Sequence, residues 1–370
     1  MNRTIPDINE SRKEIDSIDR ELVRLFEKRM IVSRDIARYK QANHLEILNT
    51  TREAKVLTER VSWVEDHVLD ASVAELFEKV MALSRREQYR FLDAGLKGTK
   101  IAYMGVPGAF SESAVDGFFG PQAERTCYRT FEEVFSAVAD DEARYGVVPV
   151  ENTSSGSIND VYDLLGKYAC HIVGEQLVAV EHNLLVLPGT QLSDITTVFS
   201  HEQGFAQCSA FLSQQPWEKT PYFNTAIAAK HVSDSGNLHY AAIASTLAAK
   251  HYGLEVLQQG IQNSNQNRTR FLVVSASPSP IGVPDKATLT FSLQHERGTL
   301  HSALSSFVAL GLNLTHIESR PIPNVNWEYC FYVDITGNVS EANLHILMES
   351  LNANCKNCRL LGAYPSAKKE

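Results

Sequence analysis

The sequence predicts a multidomain protein with three domains of different class. These are an all-α helical domain at residues 1–95, an α/β domain at residues 99–277 and a ferredoxin-like α+β domain at residues 285–365. Residues 7–94 contain neither glycine nor proline, and 35 of the first 95 residues are charged. Short apolar runs alternate with amphipathic segments through the second region, and the order β-α-β-β-α-β follows in the third.

The helical domain begins with a long amphipathic helix, predicted from about residue 9 to residue 43. Its apolar positions are spaced alternately three and four residues apart; they are Ile15, Ile18, Leu22, Leu25, Val32, Ile36 and Tyr39. At 1.5 Å per residue this helix is about 50 Å long. The next two helices, predicted at about 50–65 and 68–92, are too short to cover it, so we expect pairing with a second copy.

Polar residues interrupt the apolar faces of these helices. Arg29 falls on the same seam as the apolar residues, where an unpaired guanidinium is costly, so we expect it to have an anionic partner. The apolar face of the third helix likewise continues into Ser84 and Gln88. Three simpler interpretations stay open: a frayed or solvent-facing helix end at Ser84 and Gln88, an internal salt bridge for Arg29, and a capping box formed by Thr50 and Glu53.

Small polar residues follow the strands of the α/β domain. The segment "ENTSSGS" (151–157) comes directly after the apolar run "YGVVPV", and similar groups are "GVPGAFSES", Ser200, Thr225 and Ser245. In open α/β sheets, ligands bind beyond the carboxyl ends of the strands, where helix N-termini favour anions. The pattern predicts one cleft for a small, anionic ligand that carries a hydroxyl. The alternative is that these residues are ordinary helix caps.

The segment "NRTRF" (267–271) differs because it precedes its strand. An antiparallel strand would bring its beginning to the same side of the sheet as the other polar groups.

Bulk properties exclude several classes of function. The net charge of −9 and the pI of about 5.8 argue against a nucleic-acid partner. No apolar run is long enough for a membrane span, and the N-terminus lacks the apolar core of a signal peptide, so we expect a cytoplasmic protein. Of six cysteines, Cys355 and Cys358 form one C-x-x-C without a second pair, which predicts free thiols and no metal. No cofactor is expected, because no dinucleotide or P-loop motif is present.

The motifs "ENTSSGSINDVYDLL", "NRTRF" and "ESRPI" make the chain similar to the bifunctional chorismate mutase–prephenate dehydratases of phenylalanine biosynthesis. The resemblance covers about residues 8–365 and includes a C-terminal ACT regulatory domain. It implies an intertwined helical homodimer or higher homo-oligomer, and a dehydratase with two α/β lobes that resembles periplasmic binding proteins. It also implies chorismate and prephenate as substrates, with feedback inhibition by L-phenylalanine.

For the mutase, the resemblance implies that Arg12 of one chain and Arg29 of the other hold the two carboxylates of chorismate. Lys40 and Gln88 would donate to the ether oxygen. The remaining residues of the implied site are Asn49, where an aspartate is more common, Arg52, Glu53 and Ser84. These types suit a pericyclic rearrangement, which needs no nucleophile and depends on positioning and on stabilising the transition-state dipole.

For the dehydratase, the resemblance implies a set of polar and aromatic residues; they are Glu151, Asn152, Thr153, Ser154, Ser200, Gln207, Thr269, Arg270 and Phe271. Glu151, Asn152 and Thr269 would be catalytic. Thr269 would donate a hydrogen bond to the departing hydroxyl, because a threonine hydroxyl is too weak an acid to supply the proton. Arg270 would clamp a substrate carboxylate; the alternative is an exposed strand residue.

For the ACT domain, the resemblance implies phenylalanine binding across a domain dimer by two segments. The residues are Gly298, Thr299, Leu300 and His301 in the first, and Glu318, Ser319, Arg320 and Pro321 in the second. The first segment differs from the commoner small-residue form at Thr299 and His301. The second segment could also be a plain strand end before a turn.

Two other functions are compatible with the predicted folds. Two-lobed clefts and ACT domains also occur in proteins that bind without turnover, so a non-catalytic amino-acid sensor is one alternative. A sensor would not need a lysine directed at an ether oxygen, which argues for the enzyme. The other alternative is a dehydratase that uses arogenate in place of prephenate.

Overall fold

The computed structural model of the chain describes residues 7–43, 50–94, 100–278, 280–281, 283–293, 296–322, 325 and 328–367. The described chain forms two compact units, a helical N-terminal unit and a second unit that contains all the described sheets. The helical unit consists mainly of α1 (Ile8–Ala42), α2 (Thr50–Val61) and α3 (Asp70–Ala94), close to the predicted helices. No helix in the described residues has both the length and the apolarity that crossing a bilayer requires.

The predicted seam of α1 is largely uncovered. α1 packs on α3, and the buried hydrophobic side chains described in this unit are Met30, Ala37 and Met81. The seam residues, by contrast, are 44–64% exposed; they are Ile15, Ile18, Leu22, Leu25, Val32, Ile36 and Tyr39. An apolar helix face of this kind is stabilised when another surface buries it. The expected pairing with a second copy stays a prediction.

Residues 100–275 alternate strands and helices, as predicted. In chain order the elements are β1 (Ile101–Met104), α4 (Phe110–Phe119), β2 (Arg125–Tyr128), α5 (Phe131–Ala139), β3 (Tyr145–Asn152), β4 (Gly156–Ser157), α6 (Asn159–Lys167), β5 (His171–Ala179), β6 (Asn183–Val186), β7 (Thr197–Ser200), α7 (Glu202–Gln207), α8 (Ser209–Leu212), β8 (Glu218–Pro221), α9 (Thr225–Ser235), β9 (Tyr240–Ala244), α10 (Thr246–Tyr252), β10 (Glu255–Gln258) and β11 (Arg268–Ser275).

These strands form two sheets, each at the centre of one lobe. The first sheet has the order β2-β1-β3-β11-β5 with β4 paired to β3, and the second has the order β10-β6-β9-β7-β8. β11 runs antiparallel to both β3 and β5, as expected for the segment "NRTRF". Thr269 therefore lies opposite Asn152, at the end of β3.

The chain crosses between the lobes twice, at residues 180–182 and at residues 259–267. The crossings are joined by backbone hydrogen bonds from Val180 N to Asn267 O and from Ile261 N to His182 O, both 2.9 Å long. These two crossing segments therefore lie beside any cleft between the lobes.

The C-terminal region forms a third sheet covered by two helices. Its elements are β12 (Lys286–Ser292), α11 (Thr299–Ala309), β13 (Asn313–Pro321), β14 (Tyr329–Thr336), α12 (Glu341–Asn354) and β15 (Lys356–Tyr364). The sheet has the order β13-β14-β12-β15, and all neighbouring strands are antiparallel.

The third sheet packs directly on the first lobe. Tyr332, Leu361 and Tyr364 belong to the same buried core as residues of α5, α6 and β11. The backbone of Gly362 lies against the backbone of Ile172 in β5, where an added Cβ would collide with the carbonyl oxygen of Ile172. Close backbone approach therefore requires glycine at this position.

We predict that Gly362→Ala lowers the free energy of unfolding by about 1–3 kcal/mol, because the new methyl group forces β15 away from β5. Urea denaturation followed by circular dichroism measures this change. The exposed Lys356→Ala in the same strand is the control and should change stability by less than about 0.5 kcal/mol. Equal stability of the Gly362 and Lys356 variants would contradict the packing described.

Candidate active sites

Asn152, the last residue of β3, orients its side chain through the backbone that follows it. Its Oδ1 accepts hydrogen bonds from the backbone N–H groups of Ser154 (2.9 Å) and Ser155 (3.1 Å). A backbone N–H can only donate, so the atom it meets must be the amide oxygen. The Nδ2 of Asn152 is therefore the atom that faces β11.

The Nδ2 of Asn152 donates a hydrogen bond that makes the hydroxyl oxygen of Thr269 an acceptor. It donates to Thr269 Oγ1 at 2.9 Å, to Asn267 Oδ1 at 2.9 Å and to the Arg268 carbonyl at 3.2 Å. Among the described residues, none accepts the hydroxyl hydrogen of Thr269. That hydrogen can point to a bound oxygen. A positioned donor is the role predicted for Thr269, and it stays a prediction.

Thr153 links the loop 153–155 to the start of β11. Its Oγ1 accepts from Arg268 N at 3.0 Å and donates to the Gln266 carbonyl at 3.2 Å, while its backbone N–H donates to the Arg268 carbonyl. The hydroxyl of Thr153 is thus already paired, whereas the side chain of Ser154 is exposed. Thr153 supports the site rather than offering a free hydroxyl to a ligand.

Glu151 and Arg270 face away from this site. They neighbour Asn152 and Thr269 along their strands, so their side chains project from the opposite face of the sheet. The guanidinium of Arg270 contacts Glu151 (3.1 Å), Glu175 (3.4 Å) and Asp334 (2.9 Å). The interpretation of Arg270 as a clamp for a substrate carboxylate is therefore corrected, because three protein carboxylates occupy it. It is not an exposed strand residue either, being buried.

The ion pairs around Arg270 form a buried network with Lys286, which contacts Glu175 at 2.8 Å. Burial opposes the charge of Arg270, but Asp334 and other neighbours outweigh it and raise its pKa. Burial likewise favours the neutral form of Asp334, yet Arg270 and Lys286 lower its pKa overall. Arg270 and Asp334 are therefore both charged at neutral pH. The network joins the first lobe to β12 and β14 of the third sheet.

Phe271, also predicted in this site, is 2% exposed and lies inside the sheet. The register between β3 and β11 shifts between Arg270 and Phe271, so Phe271 lies opposite Pro149. Phe271 therefore contributes to the site only by packing in the protein core.

A second group of predicted residues lies in the second lobe. Ser200 is fully buried and donates from Oγ to the Ile243 carbonyl at 2.9 Å. Gly204 fits against it: a Cβ there would be 2.5 Å from Ser200 Oγ and 3.5 Å from Thr225 Cγ2. Ser200 and Thr225 are thus brought together at the starts of α7 and α9. Ser200 itself holds β7 to β9.

Gln207 lies near the first crossing segment. Its Oε1 is 2.7 Å from Nε2 of His182, a buried histidine whose ring meets Phe110 edge-on. Burial lowers the pKa of His182, although the bond to Gln207 opposes this, so the ring is neutral at pH 7. Sequence patterns did not single out His182, because a lone histidine has no diagnostic spacing.

The loop "GVPGAF" closes onto the second lobe. Ser245, which caps α10 by accepting from Ala248 N, donates to the Gly108 carbonyl at 2.7 Å. Gly108 has φ +87° and a Cβ there would come within 2.6 Å of Ala248 Cα. The cap interpretation is therefore right for Ser245, which in addition ties one lobe to the other.

The helical unit gathers most of its predicted polar residues between α1 and α3. Arg29 donates to Ser84 Oγ and to the Val80 carbonyl (3.3 Å). Glu53 of α2 is ion-paired with Arg85. Gln88 is 7% exposed, and its Oε1 has no hydrogen-bond partner among the described residues.

The electrostatics of this cluster favour an anion. Burial lowers the pKa of Arg29, and the nearby Arg60 lowers it further. Burial also lowers the pKa of Lys40, with Glu53 acting against this and Arg85 reinforcing it. Among the described residues, no carboxylate forms an ion pair with Arg29, so an internal salt bridge does not explain it. A bound anion would offset the cost of these charges.

Other predicted mutase residues lie elsewhere. Arg12 is exposed near the start of α1, about 25 Å along the helix from Arg29 at 1.5 Å per residue. The two arginines of one chain cannot hold the same small molecule. Arg52 is exposed on α2, and Asn49 lies outside the described residues.

The two predicted effector segments have different surroundings. Gly298 precedes α11 with φ +83°, and Leu300 and His301 are exposed, while Thr299 donates to the Glu296 carbonyl. In β13, Glu318 and Arg320 face the first lobe. Glu318 accepts from Ser157 Oγ at 2.5 Å, and Arg320 forms two bonds to Asp163 of 2.8 and 3.0 Å. Ser319 and Pro321, on the other face, are exposed.

Comparison with known proteins identifies both units. The family model for chorismate mutase type II matches residues 11–89, and the model for prephenate dehydratase matches residues 101–279. The bifunctional chorismate mutase/prephenate dehydratase of Escherichia coli (strain K12) is 34% identical over 368 residues, covering 96% of this chain and 95% of its own.

Two solved structures are similar to the second unit. GqqA, described as a novel type of quorum quenching acylase, has a TM-score of 0.67 and 30% identity, covering 72% of this chain and 98% of its own. A prephenate dehydratase from Arthrobacter aurescens in complex with L-Phe has a TM-score of 0.66 and 28% identity, covering 73% and 90%.

The family matches and the two clusters of polar residues agree on two activities. The chain rearranges chorismate to prephenate and converts prephenate to phenylpyruvate, in the biosynthesis of phenylalanine. A non-catalytic sensor is excluded by this assignment. The protein belongs to the family of bifunctional chorismate mutase/prephenate dehydratases.

Proposed function

We propose that the dehydratase reaction takes place at Asn152 and Thr269, with Thr269 donating to the ring hydroxyl of prephenate as it leaves. The observation that carries this proposal is the hydrogen bond that makes Thr269 Oγ1 an acceptor and leaves its hydrogen for the substrate. The bond to the ring carboxylate breaks to release CO₂, and its electron pair enters the ring. The ring then expels hydroxide, which takes a proton from solvent to become water. A donor aimed at the departing oxygen stabilises the charge that develops there.

Thr269→Ala should lower the dehydratase kcat by about 100-fold or more, because one donor to the developing charge is lost. Thr269→Ser, which keeps the hydroxyl, should recover most of the activity. Phenylpyruvate formation from prephenate measures both variants, and prephenate formation from chorismate is the internal control. Loss of both activities in Thr269→Ala, or full dehydratase activity, would contradict the assignment.

The mutase reaction takes place at the cluster of Arg29, Lys40 and Gln88, in a site shared between two chains. Arg29 has no described carboxylate partner, and its lowered pKa makes an anion favourable there. Since Arg12 of the same chain is too far away, the second carboxylate of chorismate is held by Arg12 of a second copy. The exposed seam of α1 provides the surface for pairing. Glu53 orients Arg85 through an ion pair, and Ser84 orients Arg29 through a hydrogen bond.

Mixing two inactive variants tests the shared site. Arg12→Ala and Arg29→Ala should each lose mutase activity by about 100-fold, because each removes a carboxylate anchor. Co-refolding them should restore about a quarter of the wild-type activity, since a mixed dimer has one intact site. Arg24→Ala, an exposed residue of the same helix, is the control. Failure to recover activity on mixing would contradict the shared site.

L-phenylalanine inhibits the dehydratase by binding to residues 298–301 and 318–321 of the C-terminal region, which is an ACT domain of ferredoxin-like topology at residues 285–365. The complex of the Arthrobacter aurescens enzyme with L-Phe supports this role. Glu318 reaches the dehydratase through Ser157, whose strand β4 pairs with the end of β3 at Glu151 and Asn152. A ligand that displaces β13 thus changes the loop that orients Asn152.

Ser157→Ala should reduce the coupling between L-phenylalanine and the dehydratase. Without the hydroxyl that bonds Glu318, the ratio of rates in the absence and presence of L-phenylalanine should fall about tenfold, within the usual range of coupling energies. Initial rates with prephenate measure the ratio, and calorimetry confirms that L-phenylalanine still binds. Ser213→Ala, in the second lobe, is the control. An unchanged ratio in Ser157→Ala would rule out this route.

A further inference from the structure

Asn267 is a buried residue in which only one of the two polar side-chain atoms has a hydrogen-bond partner among the described residues. It is the last residue of the second crossing segment and is 4% exposed. Its Oδ1 accepts from Asn152 Nδ2 at 2.9 Å, and its backbone carbonyl accepts from Val180 N. Its Nδ2 has no hydrogen-bond partner among the described residues.

The identity of the unused atom follows from the backbone. The N–H groups of Ser154 and Ser155 fix the oxygen of Asn152, so the atom that Asn152 presents to Asn267 is nitrogen. Asn267 must meet that donor with its oxygen, because two N–H groups would repel each other. The unpartnered atom of Asn267 is therefore a donor. Reversing the amide would lose the bond to Asn152.

A buried donor without a partner destabilises a folded protein by about 1–3 kcal/mol. Such groups are rare in folded proteins, and a catalytic role or a bound water or ion is among their explanations. This one belongs to the same cluster as Thr269: Asn267 Oδ1 and Thr269 Oγ1 are each 2.9 Å from Asn152 Nδ2, so they are no more than about 6 Å apart. The hydrogen bond to Asn152 explains why Asn267 needs an oxygen, but it does not explain the unpaired nitrogen.

We propose that Asn267 is a further residue of the dehydratase site, whose Nδ2 donates to the leaving hydroxyl of the substrate beside the hydroxyl of Thr269. The inference rests on the proposed placement of the reaction at Asn152 and Thr269. Both donors are neutral and keep their protons. They stabilise the oxygen while the ring expels hydroxide, and solvent supplies the proton that makes water. One asparagine, Asn152, thus contacts the side chains of both proposed donors, each at 2.9 Å.

Asn267→Asp separates a donor role from mere support of Asn152. An aspartate keeps an oxygen for Asn152 but loses the N–H group, so kcat of the dehydratase should fall about 100-fold at neutral pH. As the pH is lowered, the carboxyl group takes up a proton and becomes a donor, so the rate relative to wild type should partly recover. If Asn267 only supports Asn152, kcat stays within about twofold of wild type and the pH profile is unchanged, which would overturn the proposal.

Two controls keep the result clear. Asn265→Asp places the same charge two residues away on an exposed side chain, so its kcat should match that of wild type. Mutase activity of every variant reports on the folding of the helical unit, and circular dichroism reports on the sheets. If Asn265→Asp lowers kcat, or Thr269→Ala does not, the placement of the reaction at Asn152 and Thr269 is wrong. This outcome is distinct from a failure of the role of Asn267 alone.

If Asn267→Asp does not fold, Asn267→Ala is used with added formamide or formate. Formamide supplies both an oxygen and an N–H donor to the space left by the side chain, whereas formate supplies only oxygens. The proposal predicts that formamide raises the dehydratase rate by at least about fivefold and that formate does not. Equal effects of the two additives would overturn it.

Discussion

Two backbone N–H groups determine the direction of the hydrogen bonds around Asn152 and Thr269, the proposed dehydratase site. The N–H groups of Ser154 and Ser155 meet Asn152 Oδ1, and this turns Asn152 Nδ2 toward β11. Because a backbone N–H cannot accept, the direction of every subsequent bond follows from it. Thr269 has to accept from Asn152 and keeps its hydrogen for a ligand. The hydroxyl hydrogen of Thr269 is thus available for a hydrogen bond to substrate before any substrate binds.

The side chains of β3 and β11 alternate between two faces of the sheet, which separates the proposed dehydratase site from the contacts with the C-terminal sheet. Asn152 and Thr269 project from one face, while Glu151 and Arg270 project from the other into a buried network with Glu175 and two residues of the C-terminal sheet. Breaking such a buried network by removal of one charge typically costs about 3–5 kcal/mol. The C-terminal sheet is therefore joined by ion pairs to the reverse side of the strands that carry Asn152 and Thr269. A displacement of that sheet would act on the immediate neighbours of Asn152 and Thr269.

Much of this arrangement could be predicted from the sequence, and the exceptions have physical causes. The alternating three- and four-residue spacing of apolar residues predicted the long first helix, and the position of "NRTRF" before its strand predicted the antiparallel β11. β4 and β10 were not predicted, because their two and four residues carry no periodic pattern. Arg270 was misassigned because its partners Glu175 and Asp334 are distant in sequence, so no motif could show that its charge was already neutralised. Asn267 and His182 were missed because a single amide or imidazole gives no signal until its neighbours are known.

Neutron diffraction from deuterated crystals of the protein without substrate tests the orientation of Asn152 most directly, because it locates the hydrogen atoms on each side chain. We predict two deuterium atoms on the Asn152 atom that faces β11. The deuterium of Thr269 Oγ1 should point away from Asn152, into the cleft. A deuterium on Thr269 directed at the side chain of Asn152, with the amide of Asn152 reversed, would contradict the donor role of Thr269 in the dehydratase site.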